Sequence, residues 1–184
     1  MIEDGRTLIV GPSNVGKTTA TATAIEEWLA DNGPEGVVVL DFAPEVERDG
    51  RIIGGRLDRA TTIPDEVFYG VLDAHAPRSE AADDDAALAL ARDNADRARS
   101  LFDAAPDDPV AVFVNDATIP FQAEGDIEPL RAYCERARAV VANALESDEL
   151  GTDDPVSRNE RAALAELRAW TDCVVELDEA HGRD

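Results

Sequence analysis

The chain has 184 residues, a length that suits one well-packed domain rather than two. Its 40 acidic side chains against 17 basic ones give a formal net charge of −23. That charge excludes a broad, non-specific grip on nucleic acid, which needs positive charge over the phosphates. Hydrophobic residues make up 44 % and aromatic ones 5 %, so the core must come mainly from Val, Leu, Ile and Ala. No stretch reads as a leader peptide or as an apolar run long enough to span a bilayer. A soluble, cytoplasmic protein without a membrane partner is therefore expected. Cys134 and Cys173 stand far apart, as do His75 and His181. Reduced, partly buried thiols are expected, and a zinc site is not.

Residues 6–10 (RTLIV) form a short apolar run stopped by Gly11, which reads as a buried strand. Residues 18–30 read as a helix with Ile25, Trp28 and Leu29 on one face, ended by Asn32, Gly33 and Pro34. Residues 36–42 (GVVVLDF) read as a second buried strand. Residues 43–65 are mostly loop, and 67–74 fits either a strand or a short helix. Residues 79–104 predict one long helix, with Asp83, Asp84 and Asp85 as charge in its first turn. Residues 109–115 (PVAVFVN) carry the strongest strand signal. Residues 126–145 predict the cleanest amphipathic helix, with Leu130, Tyr133, Cys134, Ala137, Val140, Val141, Ala144 and Leu145 along one face. After an acidic loop, Ser157 to Glu160 match a capping box that opens a further helix. Residues 173–177 read as a last strand, followed by a polar tail over about 178–184. Continuous apolar strands alternating with helices imply one doubly wound α/β domain over residues 1–184, its mostly parallel sheet covered by helices on both faces. Ligands of such folds sit beyond the carboxyl ends of the strands, so the loops after Val10, Leu40 and Val114 are expected to share a crevice.

Residues 11–18 (GPSNVGKT) satisfy G-x-x-x-x-G-K-[ST] between a buried strand and an amphipathic helix. That context turns successive backbone N–H groups toward a concavity able to hold phosphate oxygens, helped by the positive end of the helix dipole. Gly11 and Gly16 allow backbone conformations and close approaches that a Cβ would block. Lys17, the only lysine in the chain, sets a compact ammonium against β- and γ-phosphates. Ser13, Asn14, Val15, Gly16, Lys17, Thr18 and Thr19 complete the phosphate-binding set, and the Thr18 hydroxyl is suited to Mg²⁺. A second magnesium ligand is expected from Asp116, which follows Asn115 at the end of an apolar strand.

This loop, its flanking strand and helix, and the later strand ending in Asn115-Asp116 resemble the P-loop NTPase superfamily. The resemblance implies Mg²⁺ and ATP as cofactors and a nucleoside triphosphate as partner. The guanine-reading N-K-x-D motif of the GTPases needs a second lysine, which the chain lacks, so ATP is favoured. Similarity to RecA-like ATPases implies hydrolysis, with Glu45 as the base just past the second strand and Glu47 as its substitute. Similarity to small-molecule or nucleotide kinases instead implies that Asp41 binds or deprotonates an acceptor. Arg48, Arg51, Arg56, Arg59 or Arg158 would then cover the transferring phosphoryl group. A nucleotide-gated switch is a third reading, with loops 43–65 and 117–125 meeting a protein partner or a second copy. The apolar Ile119, Pro120 and Phe121 point to a partner surface or a packed lid. Strand order separates the first two readings. RecA-like domains place one strand between the loop-bearing strand and the strand that ends in the metal-binding acid, and the kinase branch sets those two side by side. Finally, abundant Asp, Glu and Ala with one lysine resemble the proteins of salt-accumulating halophilic archaea. Molar salt shortens the Debye length to about 3 Å and relieves the self-repulsion of so acidic a chain.

Overall fold

The computed structural model describes residues 4–48, 51–53, 55–148 and 151–178. Strand β1 (Gly5–Gly11) leads into helix α1 (Lys17–Asn32) and strand β2 (Val37–Asp41). A small antiparallel pair follows, β3 (Val46–Arg48) with β4 (Arg51–Ile53), then a 3-10 turn at Leu57–Arg59 and strand β5 (Phe68–Val71). Helices α2 (Pro77–Glu80) and α3 (Asp84–Ala104) precede β6 (Ala111–Asn115). A second 3-10 turn at Ile119–Phe121, α4 (Glu128–Cys134), β7 (Ala139–Leu145), α5 (Pro155–Trp170) and β8 (Cys173–Glu176) complete the order. The main sheet runs β5-β2-β6-β7-β1-β8, and each of its described pairings is parallel.

The sheet carries apolar side chains on both faces, as the continuous strand runs require. On one face Ile9, Val39, Phe113 and Val141 pack against Ala22, Ile25 and Trp28 of α1. On the other, Leu8, Leu40, Val114 and Ala142 pack against Ala98 of α3, Leu130 and Tyr133 of α4, and Leu164 and Leu167 of α5. The fold is thus α/β, with a six-stranded parallel sheet between helices. No helix among the described residues is long and apolar enough to cross a membrane.

Three expectations need correction. Residues 126–145 are not one helix but a short helix and a strand, α4 and β7. Residues 139–144 are all buried. A strand covered on both faces has no period of two to display, so its apolar run is read as easily as a helical stripe. The long helix over 79–104 is broken ahead of Asp83, whose side chain caps α3 by accepting from Ala86 N at 2.9 Å. Helix α5 begins at Pro155, not Ser157. Asp154 caps it by accepting from Ser157 N at 2.9 Å, and Pro155 occupies the first turn, a stronger start than the expected capping box. Glu160 is thereby released from capping and turns inward. Ile119 and Phe121 are buried within the core that includes α3 and α4, so this apolar loop serves packing. Cys134 is buried and Cys173 exposed, both as free thiols. His181 and the tail beyond residue 178 lie outside the described residues.

Removing the cap of α5 tests this assignment. Asp154→Ala is expected to cost about 1 kcal/mol and to lower the melting temperature by about 2–4 °C, read by circular dichroism.

Candidate functional site

The glycine loop joins β1 to α1. At Gly11, with φ +154°, an added Cβ would lie 2.3 Å from the Leu177 carbonyl oxygen, so any larger residue would push β1 away from the end of β8. Asn14 takes the left-handed φ of 62°. Gly16 (φ 96°, ψ 14°) stands at the cap position of α1 without a side chain to offer, so the first N–H groups of that helix open onto the loop. Val15 is buried and holds the loop down. Lys17 is 8 % exposed, and its Nζ donates to the Pro12 carbonyl at 2.5 Å. The ammonium therefore curls back over the loop that carries it.

Beside this loop, the carboxyl ends of β2, β6 and β7 bring Asp41, Asn115 and Asn143 together, all fully buried. Asn115 Nδ2 donates to Asp41 Oδ1 and to the Gly55 carbonyl, both at 2.8 Å. Asn115 Oδ1 accepts from Asn143 Nδ2 at 2.8 Å and from the Thr18 hydroxyl at 3.3 Å. Asn143 Nδ2 also reaches Thr21 Oγ1 at 2.8 Å, and Asn143 Oδ1 accepts the backbone N–H of Asp116 at 3.1 Å. Asp41 Oδ2 accepts from Leu57 N at 2.7 Å and from the Tyr69 hydroxyl at 2.9 Å, while Oδ1 receives Ala43 N at 3.4 Å. The loops after β1, β2 and β6 thus meet in one place. Burial, then the charge and hydrogen bond of Asp41, push the Tyr69 hydroxyl pKa up, so it stays a donor.

Asp116 follows directly, in a left-handed conformation with φ 54°. Burial pushes its pKa up from the ordinary 3.8 to about 6; the Lys17 charge pulls it down, and Glu160 and Asp41 push it further up. Glu160 is 6 % exposed and accepts from Arg78 at 2.5 Å and from Thr118 Oγ1 and Gln122 Nε2 at 3.1 Å each. Arg78 also donates to Ser157 Oγ at 3.2 Å. A partly buried ion pair thereby joins α2 to α5, and Thr118 and Gln122 on either side of the 119–121 turn donate to the same carboxylate.

The sequence-predicted residues divide accordingly. The structure gathers Thr18, Asn115 and Asp41 into one network and sets Asp116 within the electrostatic reach of Lys17. The side chain that meets the Thr18 hydroxyl is Asn115 rather than Asp116. Asp41 is buried with four donors on its carboxylate, which leaves no open face for an acceptor. Glu45 is held by Arg59 at 2.7 Å and Arg56 at 3.7 Å. Arg56 also pairs with Asp73 at 3.1 Å. Arg158 is exposed on the first turn of α5 and donates to the Asp153 carbonyl at 2.5 Å. The side chains of Glu47, Arg48 and Arg51 lie outside the described residues. Sequence reasoning missed Asn143, hidden in a run read as helix, and Glu160, read as a cap.

Among the described residues no three His, Cys, Asp or Glu side chains converge on a point that would hold a metal by themselves. The Thr18 hydroxyl and the Asp116 carboxylate are hard oxygens of the kind that suits Mg²⁺, which keeps several waters and shares its shell with phosphate oxygens, whereas Asn115 Oδ1 already accepts from Asn143 Nδ2 and the Thr18 hydroxyl. No protein-family model matches this sequence, and no curated protein matches it.

The raised pKa of Asp116 has a sign that can be checked. A carboxyl that holds its proton more tightly in the folded state favours folding at low pH, and that contribution fades as pH rises from 3.8 to about 6. Above that range the partly buried charge is a net cost, about 1–2 kcal/mol after allowing for partial solvent access. Asp116→Asn is therefore expected to be more stable than the parent at pH 7 in a chelator, with the difference shrinking toward pH 4. Urea unfolding at stepped pH measures it.

Proposed function

We propose that the chain is a Mg²⁺-dependent nucleoside triphosphatase of the P-loop class, acting on ATP in the manner of RecA-like ATPases. The observation that carries this reading is the strand order: β7 lies between β1, which feeds the glycine loop, and β6, which ends in Asn115 and Asp116. That is the order expected of the RecA-like branch and not of the kinases. The burial of Asp41 among four donors also speaks against an acceptor-deprotonating role.

In this reading the N–H groups at the start of α1 and the Lys17 ammonium take the β- and γ-phosphate oxygens. Lys17 exchanges the Pro12 carbonyl for phosphate as the triphosphate enters. Thr18 and Asp116 would hold Mg²⁺, which would supply charge neutralisation for the phosphates. Glu45 lies in the loop after β2, where the resemblance places the group that orients the attacking water. Its ion pairs with Arg59 and Arg56 fix it there and bring two guanidinium groups to the same segment. The protein's contribution is positioning and electrostatics, with no covalent intermediate required.

Binding of a fluorescent ATP analogue in molar KCl tests this directly. Lys17→Ala is expected to weaken affinity by about 100-fold, the order expected when a charge-assisted contact is removed. The wild-type chain is expected to release phosphate from ATP with no added acceptor. An unchanged affinity in Lys17→Ala would remove the reading, and turnover that needs an added metabolite would return the kinase.

A further inference from the structure

We propose that Glu160 is a positioning residue for the magnesium site: from α5 it grips the loop that begins at Asp116 and so fixes where that carboxylate stands. The inference rests on the nucleotide-binding reading above.

The backbone at Asp116 carries the argument. Its φ of 54° lies in the left-handed region, which is uncommon for a residue with a side chain and persists where the surroundings impose it. On one side β7 imposes it. Asn143 Oδ1 accepts the Asp116 N–H at 3.1 Å, and the Asn143 carbonyl accepts the Ala117 N–H at 2.8 Å. On the other side the turn that follows must be kept from relaxing, and α5 does this with side chains. Glu160 Oε1 accepts from Thr118 Oγ1 and from Gln122 Nε2, at 3.1 Å each. Thr118 and Gln122 are each 1 % exposed, so water does not compete for these bonds. Asn159, the neighbour of Glu160 on the helix, donates to the Gln122 and Ala123 carbonyls at 3.0 and 2.7 Å. Within the turn, Ile119 N donates to the Asp116 carbonyl at 3.1 Å and Phe121 N to the Thr118 carbonyl at 3.0 Å. The grip on Thr118 and Gln122 therefore reaches Asp116 through one hydrogen-bonded turn. Glu160 touches neither metal nor nucleotide in this account, and acts through the loop.

An acid suits this place for two reasons. Its second oxygen accepts from Arg78 at 2.5 Å, so donors face both oxygens, and an apolar residue would leave the loop donors buried without an acceptor. Yet a carboxylate is a costly way to hold a loop here, because its charge is felt at Asp116 and like charges disfavour each other. A divalent cation on Asp116 reverses the sign of that cost.

A purely structural role, tying α5 to the core, predicts lower stability for every variant of this network and no selective effect on metal. The experiment measures affinity for a fluorescent ATP analogue in molar KCl, with excess MgCl₂ and with EDTA, alongside thermal melting. Lys17→Ala tests the underlying reading: if it binds as tightly as wild type, that reading fails first. Thr118→Val with Gln122→Met removes both loop donors and leaves the Glu160 carboxylate with Arg78. This pair is expected to bind the metal-free analogue as wild type does and to lose about 10-fold or more of the Mg²⁺ enhancement. Thr118→Val alone is expected to lose part of it. Arg78→Lys keeps a cation beside Glu160 and both loop bonds in place. It is expected to melt lower than wild type and to keep the enhancement. With nucleotide binding intact, the proposal is overturned if the folded loop variants keep the full enhancement. It is equally overturned if Arg78→Lys loses as much of the enhancement as they do.

Discussion

The amide of Asn115 is the constraint on which the rest of this site depends. It lies fully buried at the carboxyl end of a central strand and has two donor and two acceptor positions to satisfy. Each left unpaired there would cost about 1–3 kcal/mol. Its four partners come from β2, β7, α1 and the segment ahead of the Leu57–Arg59 turn. Satisfying one side chain therefore places the glycine-loop helix, the neighbouring strands and the 55–57 segment relative to one another. Neither an apolar residue nor a longer acid at this position could tie those four together, because neither offers donors and acceptors in one plane.

Among the described residues Asp41 and Glu160 are buried and Asp116 is partly buried, and each carboxylate is treated differently. Asp41 is surrounded by donors, three of them held by the backbone or by an amide. Glu160 is matched by a guanidinium, a hydroxyl and an amide. Asp116 is the least compensated of the three, and burial raises its pKa with only Lys17 opposing. The incompletely neutralised acid is the one that lies beside the glycine loop. The charges of the two fully paired acids, Glu160 and Asp41, also push the Asp116 pKa up.

The glycine loop, its strand and helix, and the strand ending at Asn115 were legible because each rests on a local rule: an apolar run, a glycine that must adopt positive φ, a helix start. The places where reading failed share a different property. Val140, Val141 and Ala142 look the same on a buried helix face and on a strand buried on both sides, and only pairing with β1 and β6 selects the strand. Ser157 and Glu160 fit a capping box by spacing, but Asp154 and Pro155 just upstream start the helix first. Once Glu160 is no longer a cap, its side chain meets Arg78, some eighty positions earlier, a contact that sequence spacing does not reveal.

By itself, the sequence determined the alternating α/β pattern, the glycine-containing loop at residues 11–18 and the acidic surplus. These follow from local periodicity, backbone sterics and composition. The tertiary structure alone decided the strand order, the pairing of Asn115 with Thr18, and the conversion of Asp41 and Asn143 from ordinary strand-end residues into parts of one network. Those outcomes depend on which strand lies beside which. In a parallel sheet buried on both faces, that choice is made by packing and hydrogen-bond satisfaction across distant segments, and neither leaves a periodic mark in the chain.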